Sequence, residues 1–397
     1  MKYVLIIPDG FADRPIDILK RKTPIEAAAT PQMDSLAREA EVGLTLNIPK
    51  GMEAGSDVAC MSLMGYDPLE YHTGRAPLEA VSMGVELGDD EAAFRANLVT
   101  VTEGIMVDYS GGHIKSGEAA VLMNALREAF KEEPVKLYSG VSYRNLLITG
   151  QLETLKAKTV PPHDFTGQPL EGHWPKGKGA ELLRRWMKIS AEILWEQDVN
   201  EVRVSLGENP ANMIWLWGGG TRPQLPGFRE LWGLSGAMIT AVDLLRSLGL
   251  LAGLEILRVP GATGYLDTDY TAKGRHALAA LEEHDFVVVH VEAPDEAGHG
   301  GKALAKLKSL ERIDSEIVGP LADVARRRGD VRILVSADHA TPIELRTHTA
   351  EPVPFMFWGP GFEANGAECF SEIEARRTGL KFKHGHQLMN RLIKDNI

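Results

Sequence analysis

Three short runs of mainly apolar, β-branched residues constrain the fold of this chain more than any other feature of its sequence. None of the three alternates apolar with polar residues, which is typical of strands that are buried on both faces of a parallel sheet. The runs are Tyr3–Pro8, Asp285–Ala293 and Arg332–Ala337. Apolar residues recur at helical spacing in Thr30–Ala40, Met238–Leu248 and Leu304–Arg327. Strands that alternate with helices predict an α/β fold with a doubly wound, mostly parallel sheet.

The middle of the chain, residues 87–231, has a different sequence pattern from the rest. It contains several short strand-like runs and loops rich in proline and glycine, such as Pro161–Gly179. A chain of 397 residues also exceeds the size of about 250–300 residues at which a single core stops growing. We therefore predict a discontinuous core domain, residues 1–86 and 232–397, into which an α+β domain of residues 87–231 is inserted.

Charge, the length of apolar runs and cysteine content limit the partners and the compartment of this protein. The formal net charge is −12, whereas nucleic acids and anionic membranes select for basic protein surfaces. No apolar run reaches the length of about 18 residues that a transmembrane helix needs. The two cysteines, Cys60 and Cys369, are too few for a disulfide framework and favour a reducing compartment. We expect a cytoplasmic protein that binds neither nucleic acid nor membrane, and the sequence leaves its oligomeric state open.

An aspartate lies at the end of each buried run. Asp9 and Asp338 directly follow two of the runs, and Asp295 lies two residues after the third. Because ligands bind beyond the carboxyl ends of the strands in open parallel sheets, the three carboxylates are candidates for one site. A single aspartate in such a position is more often a turn former or a helix N-cap. The occurrence of three together favours a functional site.

Histidines follow two of these aspartates at close spacing. His299 lies four residues after Asp295, His339 directly follows Asp338, and His348 lies in the loop after that. Carboxylate oxygen combined with imidazole nitrogen is typical of Zn²⁺ or Mn²⁺ sites, whereas ligands that are all oxygen suit Mg²⁺ or Ca²⁺. One Asp-His pair alone would be weak evidence, since most histidines are not metal ligands. The whole set predicts a site for two divalent ions.

Ser56 is the candidate nucleophile. It follows Gly55 at the start of a helical pattern, which places its hydroxyl at or beside a helix N-terminus. Backbone N–H groups and the helix dipole favour a phosphorylated serine there, and neighbouring metal ions would favour the deprotonated hydroxyl that covalent transfer requires. The alternative interpretation is that Ser56 serves only as the N-cap of the helix.

Taken together, these motifs resemble the archaeal-type cofactor-independent phosphoglycerate mutases of the alkaline phosphatase superfamily. The resemblance runs in consistent order from Met1 to about Gly361 and implies a sheet of the alkaline phosphatase type. The motifs that carry it are Asp9-Gly10, Gly55-Ser56-Asp57, Gly65-Tyr66-Asp67-Pro68, Tyr109–Ile114, Pro260–Gly264, Ala293–His299, Asp338-His339 and Arg346–Thr349.

The resemblance also implies a role for each site residue. The ligands of one metal would be Asp9, Ser56, Asp338 and His339, and those of the other would be Asp295, His299 and His348. Mn²⁺ is the expected ion, with Zn²⁺, Co²⁺ and Mg²⁺ as alternatives. The residues implied to bind the phosphate and carboxylate of a small phosphorylated substrate are His113, Arg144, Arg222 and Lys273, of which the first three lie in the inserted domain.

The implied activity is the interconversion of 3-phosphoglycerate and 2-phosphoglycerate through a phosphoserine, without 2,3-bisphosphoglycerate. A sister group proposed to be homoserine kinases shares the metal positions and the stretch Tyr71–Glu79. A homoserine kinase-like phosphotransferase and a metal-dependent phosphomonoesterase therefore stay as alternatives. A two-lobed binding protein with structural metals is a further class, in which a hydroxyl nucleophile would be superfluous. The loop Asp338–Pro342 departs from the expected pattern at Ala340.

Overall fold

The computed structural model describes residues 1–394, which divide into two compact units. The first unit contains Met1–His72 and the chain from Gln224 onward, and the second unit is Thr73–Pro223. The predicted bounds of the inserted domain, 87 and 231, are shifted from this division. The helix Arg75–Ser82 packs against two strands of the second unit. The chain therefore enters that unit before the first strand-like run in the sequence.

The described residues form two sheets, and the strands are numbered here in chain order. The strands are β1 (Lys2–Pro8), β2 (Glu41–Thr45), β3 (Ala92–Thr102), β4 (Ile105–Asp108), β5 (Val135–Tyr138), β6 (Arg144–Thr149), β7 (Met213–Thr221), β8 (Gly236–Ile239), β9 (Glu255–Ile256), β10 (Phe286–Val291), β11 (Val331–Ser336), β12 (Val353–Trp358) and β13 (Lys381–Phe382).

The α-helices connect these strands and cover the sheets. They are α1 (Pro24–Ala27), α2 (Pro31–Ala37), α3 (Ser56–Leu63), α4 (Pro68–Tyr71), α5 (Arg75–Ser82), α6 (Ser116–Ala129), α7 (Ala180–Trp195), α8 (Asp198–Ser205), α9 (Phe228–Trp232), α10 (Asp243–Leu251), α11 (Tyr270–Glu283), α12 (Ala293–His299), α13 (Ala303–Ile313), α14 (Gly319–Arg328), α15 (Glu372–Arg377) and α16 (Gln387–Ile393). No helix within residues 1–394 is long and apolar enough to cross a membrane.

The first unit contains an eight-stranded sheet with the order β13-β2-β12-β11-β1-β10-β8-β9. Strands β11, β1, β10, β8 and β9 run parallel to one another, and β12 pairs antiparallel with both β11 and β2. Every residue of β10 and β11 is buried, because helices such as α11 and α14 pack on these strands. The prediction of a mostly parallel α/β sheet is confirmed, and burial on both faces explains the apolar runs.

One helix prediction was wrong. The segment Met238–Leu248 is not a single helix, since it begins in strand β8 and its helix, α10, starts only at Asp243. A short apolar run in a buried strand has no periodicity that separates it from a helix. The predicted helix Leu304–Arg327 consists of α13 and α14 joined by a π-helical turn, Asp314–Val318. Pro320 lacks the backbone N–H that regular helical bonding at this point requires.

The second unit is built on an antiparallel sheet. Strand β3 is its centre, with β6 paired along one edge, β7 along the other, and β4 on the end of β3. Strand β5 extends the sheet beyond β6. Helices α6 and α7 pack together beside it, and their apolar faces join the buried Trp186 and Trp215 in a separate core. Each unit therefore has a hydrophobic core of its own.

Candidate active site

The carboxyl ends of three neighbouring parallel strands bring the candidate aspartates together. Asp9 follows β1, Asp295 lies in the first turns of α12 after β10, and Asp338 follows β11. Gly10 has a φ of 58°, and a Cβ there would lie 2.5 Å from both Oδ1 of Asp295 and Oγ1 of Thr341. Its backbone N–H donates to Oδ1 of Asp338 at 2.9 Å. Glycine is needed at this position because the backbone passes directly between side chains of the site.

The first group of candidate ligands is Asp9, Asp338 and His339, all almost completely buried. Nε2 of His339 lies 3.2 Å from Oδ2 of Asp338 and 3.5 Å from Oδ1 of Asp9. The hydroxyl of Ser56 lies 3.1 Å from the same Nε2 and 3.4 Å from Oδ2 of Asp9. Two carboxylates, one imidazole and one hydroxyl therefore face a common point.

The second group is Asp295, His299 and His348. Oδ2 of Asp295 lies 3.1 Å from Nε2 of His299, and its Oδ1 lies 3.5 Å from Nε2 of His348. The Nδ1 atoms of the two histidines lie against backbone carbonyls, of Arg346 at 3.0 Å and of Ala54 at 3.3 Å. If each Nδ1 donates to its carbonyl, both Nε2 lone pairs point inward. The two Nε2 atoms are 2.8 Å apart, so that a shared proton or a bound cation would remove the repulsion between their lone pairs.

The electrostatics of the first group also fit a cation. Burial, followed by the charges of Asp338 and Asp295, raises the pKa of Asp9 well above its usual value. Burial also lowers the pKa of His339 to about 4, which keeps its imidazole neutral and able to act as a ligand. Oδ1 of Asp9 is buried without a hydrogen-bond partner among the described residues. A divalent ion would satisfy this oxygen and remove the repulsion between the carboxylates.

Ser56 is the first residue of α3, and Gly55 is the N-cap. The helix therefore begins at the candidate nucleophile itself, where first-turn N–H groups lack intrahelical acceptors. Ser56 is therefore not the N-cap of this helix, since Gly55 occupies that position. Oδ2 of the next residue, Asp57, lies 3.0 Å from Nε2 of His72. The hydroxyl of Ser56 is left to face His339 and Asp9.

Three residues at the site were missed by the sequence reasoning. Thr341 lies between the two groups, because its Oγ1 contacts Nδ1 of His339 at 3.2 Å and Oδ1 of Asp295. His290 and Glu292 lie beside Asp9 at the end of β10. The available signal was that His290 interrupts an otherwise apolar buried strand and that Glu292 directly follows this strand. Thr341 gave no signal beyond its position two residues after His339.

Ala340, the position that departs from the expected pattern, is buried within the loop that follows β11. Its carbonyl accepts the backbone N–H of Thr349 at 2.9 Å, and it also forms isolated β-bridges with Phe11 and Ala12. The loop segments that carry His339, His348 and Asp9 are therefore tied together through the backbone at this residue. A small side chain suits such a crowded position.

The four residues predicted to bind substrate are distributed between the units. His113, Arg144 and Arg222 are exposed residues of the second unit. His113 has a left-handed φ of 50°, and the guanidinium of Arg144 lies 5.5 Å from the ring centre of Tyr143. Lys273 belongs to the first unit and is completely buried in α11. Its Nζ donates to the carbonyl of His290 at 3.0 Å, so contact with a substrate would require this ammonium to move.

Comparisons with known proteins agree on one family. A family model described as 2,3-bisphosphoglycerate-independent phosphoglycerate mutase matches residues 37–200. The 2,3-bisphosphoglycerate-independent phosphoglycerate mutase 2 of Methanothermobacter thermautotrophicus is 50% identical over 390 residues, which cover 98% of this chain and 96% of the relative.

Two solved structures extend this agreement to the fold. A protein of Pyrococcus horikoshii matches with a TM-score of 0.82 and 30% identity, and the match covers 100% of this chain and 98% of the other. The cofactor-independent phosphoglycerate mutase of Thermoplasma acidophilum matches with a TM-score of 0.67 and 28% identity, with 99% of each chain covered. The similarity thus extends over both units of the chain.

Proposed function

Because this chain belongs to the family of 2,3-bisphosphoglycerate-independent phosphoglycerate mutases, we propose that it interconverts 3-phosphoglycerate and 2-phosphoglycerate through a phosphoserine on Ser56. The observation that carries the proposal is the position of the Ser56 hydroxyl. It lies at the N-terminus of α3, 3.1 Å from Nε2 of His339 and 3.4 Å from Oδ2 of Asp9. Covalent phosphoryl transfer needs a hydroxyl in such surroundings, whereas a protein that only binds metal does not.

Two divalent ions belong to this proposal. The ligands of one are Asp9, Ser56, Asp338 and His339, and the ligands of the other are Asp295, His299 and His348. The mixed oxygen and nitrogen donors favour Mn²⁺, and Zn²⁺ or Co²⁺ would also fit them. When bound, the ions neutralise the transferring phosphoryl group and favour the deprotonated form of the serine hydroxyl.

The protein's own part in the reaction begins at Ser56. Its hydroxyl loses its proton to water and Oγ attacks the phosphorus of 3-phosphoglycerate. The bond from phosphorus to the substrate oxygen breaks, that oxygen takes up a proton, and glycerate stays bound beside phosphoserine. The dipole and the N-terminal N–H groups of α3 favour the negative charge of that phosphoserine. The glycerate then turns, and its other hydroxyl loses its proton and takes the phosphoryl group back. The bond from phosphorus to Oγ of Ser56 breaks, and Oγ takes up a proton. Atoms balance without 2,3-bisphosphoglycerate, because the phosphoryl group leaves and returns within one complex.

His113, Arg144 and Arg222 are proposed to bind the anionic groups of the substrate. Both arginines are exposed, and the planar guanidinium of arginine can pair with a carboxylate or a phosphate through two hydrogen bonds. Such contacts would hold glycerate during its turn, when release or attack by water would convert the mutase into a phosphatase. The substrate role of Lys273, and the cytoplasmic location expected from the sequence, also stay predictions.

A direct assay tests the proposed function. The metal-loaded full chain should convert 3-phosphoglycerate into 2-phosphoglycerate in a reaction that contains no 2,3-bisphosphoglycerate. Parallel reactions should measure phosphate release and the phosphorylation of homoserine, which are the activities of the two alternatives. Conversion that depends strictly on added 2,3-bisphosphoglycerate, or a homoserine activity that exceeds the mutase activity, would reject the proposal.

A further inference from the structure

His290 connects the ends of three adjacent parallel strands. In the register of the sheet, His290 of β10 pairs with Ile7 of β1, two residues before Asp9. On the other side, Val289 pairs with Ile239 of β8, so that His290 lies level with Thr240. The side chain of His290 is completely buried and points towards both neighbours. Strand order thus places His290 between Thr240 and Asp9, and its side chain contacts both.

Both ring nitrogens of His290 are used. Nε2 lies 2.7 Å from Oδ2 of Asp9, and Nδ1 lies 3.1 Å from Oγ1 of Thr240. Because a carboxylate that binds a metal ion only accepts hydrogen bonds, Nε2 must carry the proton and donate it. Nδ1 is then an acceptor, and the Thr240 hydroxyl donates to it while accepting the backbone N–H of Val242 at 3.1 Å. The network fixes one tautomer of the histidine.

We infer that His290 is a positioning residue for the first metal group: its Nε2–H holds Oδ2 of Asp9 and turns the unpaired Oδ1 towards His339. This inference rests on the proposed two-metal function. Without His290, the carboxylate of Asp9 would lose its strongest hydrogen bond and could rotate away from Nε2 of His339, which lies 3.5 Å from Oδ1. Partners that orient a ligand in this way typically change metal affinity by about 10- to 100-fold.

A third metal site offers another explanation, since Asp9, His290 and Glu292 also lie close enough to share an ion. Two observations favour the positioning role instead. Both nitrogens of His290 already have partners of matching character. The buried ammonium of Lys273 donates to the carbonyl of His290, and its charge interacts favourably with that of Glu292. Lys273 thus supplies the positive charge that a third cation would bring to this cluster.

The test uses the two metal groups as controls for each other. In a His299→Ala background, which removes one ligand of the second group, Mn²⁺ binding reports on the first group alone. In a His339→Ala background, it reports on the second group. Adding His290→Leu should weaken Mn²⁺ binding by about 10- to 100-fold in the first background and leave it within about twofold in the second. Calorimetric titration of metal-stripped protein with Mn²⁺ measures both.

Conservative variants separate positioning from packing. Glutamine places an N–H near the position of Nε2, whereas asparagine reaches only the position of Nδ1. His290→Gln should therefore keep most of the first group's affinity, and His290→Asn should lose it as His290→Leu does. Equal losses in the glutamine and asparagine variants, or equal losses at both metal groups, would show that His290 only supports the fold and would overturn the inference.

Other outcomes are equally informative. Unchanged affinity of the first group in His290→Leu would overturn the inference. So would a third Mn²⁺ in the wild type that His290→Gln loses, because His290 would then be a ligand. Failure of the proposed function looks different: the wild type itself would bind fewer than two Mn²⁺ ions. The inference about His290 and the two-metal proposal can therefore fail separately.

Discussion

The candidate ligands of the first unit and the candidate substrate residues of the second unit are held in opposite ways. Asp9, Asp338 and His339 are buried at strand ends, and each has contacts that restrict its side chain. Arg144 and Arg222 are exposed, on and just beyond the strands of an antiparallel sheet. In the proposed mechanism, the parallel sheet would therefore preorganise the groups that transfer phosphate, whereas exposed side chains of the antiparallel sheet would bind the substrate.

Removing the metal ions should have the largest effect on activity, and it tests the role of the buried candidate ligands. Chelation should reduce mutase activity to background, because the seven proposed ligands serve two ions whose charges carry the chemistry. Adding Mn²⁺ back should restore activity if the fold has survived, which circular dichroism would check. Full activity in protein shown by elemental analysis to be metal-free would contradict the account.

Replacing the nucleophile should have the next largest effect. Ser56→Ala should lower kcat at least about 10³-fold, since the hydroxyl carries the phosphoryl group. Binding of two Mn²⁺ ions should largely survive, because Ser56 is one ligand of several. Ser62→Ala in the same helix is the matched control, since Ser62 is buried but donates to the carbonyl of Asn47 instead. Activity near that of the wild type in Ser56→Ala would exclude the covalent mechanism.

Thr341 provides a test of intermediate size. Thr341→Val removes the hydroxyl that contacts both Asp295 and Nδ1 of His339 but preserves the shape of the side chain. Affinity for Mn²⁺ should fall at both metal groups, by up to about 100-fold, and Thr341→Ser should retain it. A loss confined to one group would show that Thr341 does not link them. Titration calorimetry on metal-stripped protein distinguishes these results.

The exposed arginines should show the smallest effect, in the partition of products. Arg144→Ala or Arg222→Ala removes a contact worth about 1.5–3 kcal/mol, which loosens the bound glycerate and admits water. The ratio of released phosphate to 2-phosphoglycerate should rise about tenfold, while Arg184→Ala on α7 should leave it unchanged. Both products can be measured in one reaction. An unchanged ratio with equal loss of both activities would show that these arginines do not retain the intermediate.

The same contrast explains how much the sequence could predict. The parallel sheet and the meeting of Asp9, Asp295 and Asp338 follow from buried runs that end in aspartate, because parallel strands end at one edge. Strand β8 could not be predicted, because it is short and its apolar residues come just before the apolar pattern of α10. The roles of Thr341 and His290 depend on hydrogen bonds between distant parts of the chain, which no local pattern encodes.

Trapping the phosphoenzyme tests the central claim most directly. The Mn²⁺-loaded wild type should be mixed with 3-phosphoglycerate, quenched in acid within one turnover, and digested for mass spectrometry. We predict phosphate on the peptide that contains Ser56, at Ser56 itself, and no phosphopeptide from the Ser56→Ala variant. Phosphate on another residue, or the same phosphopeptide yield from Ser56→Ala, would contradict a mechanism in which Ser56 carries the phosphoryl group.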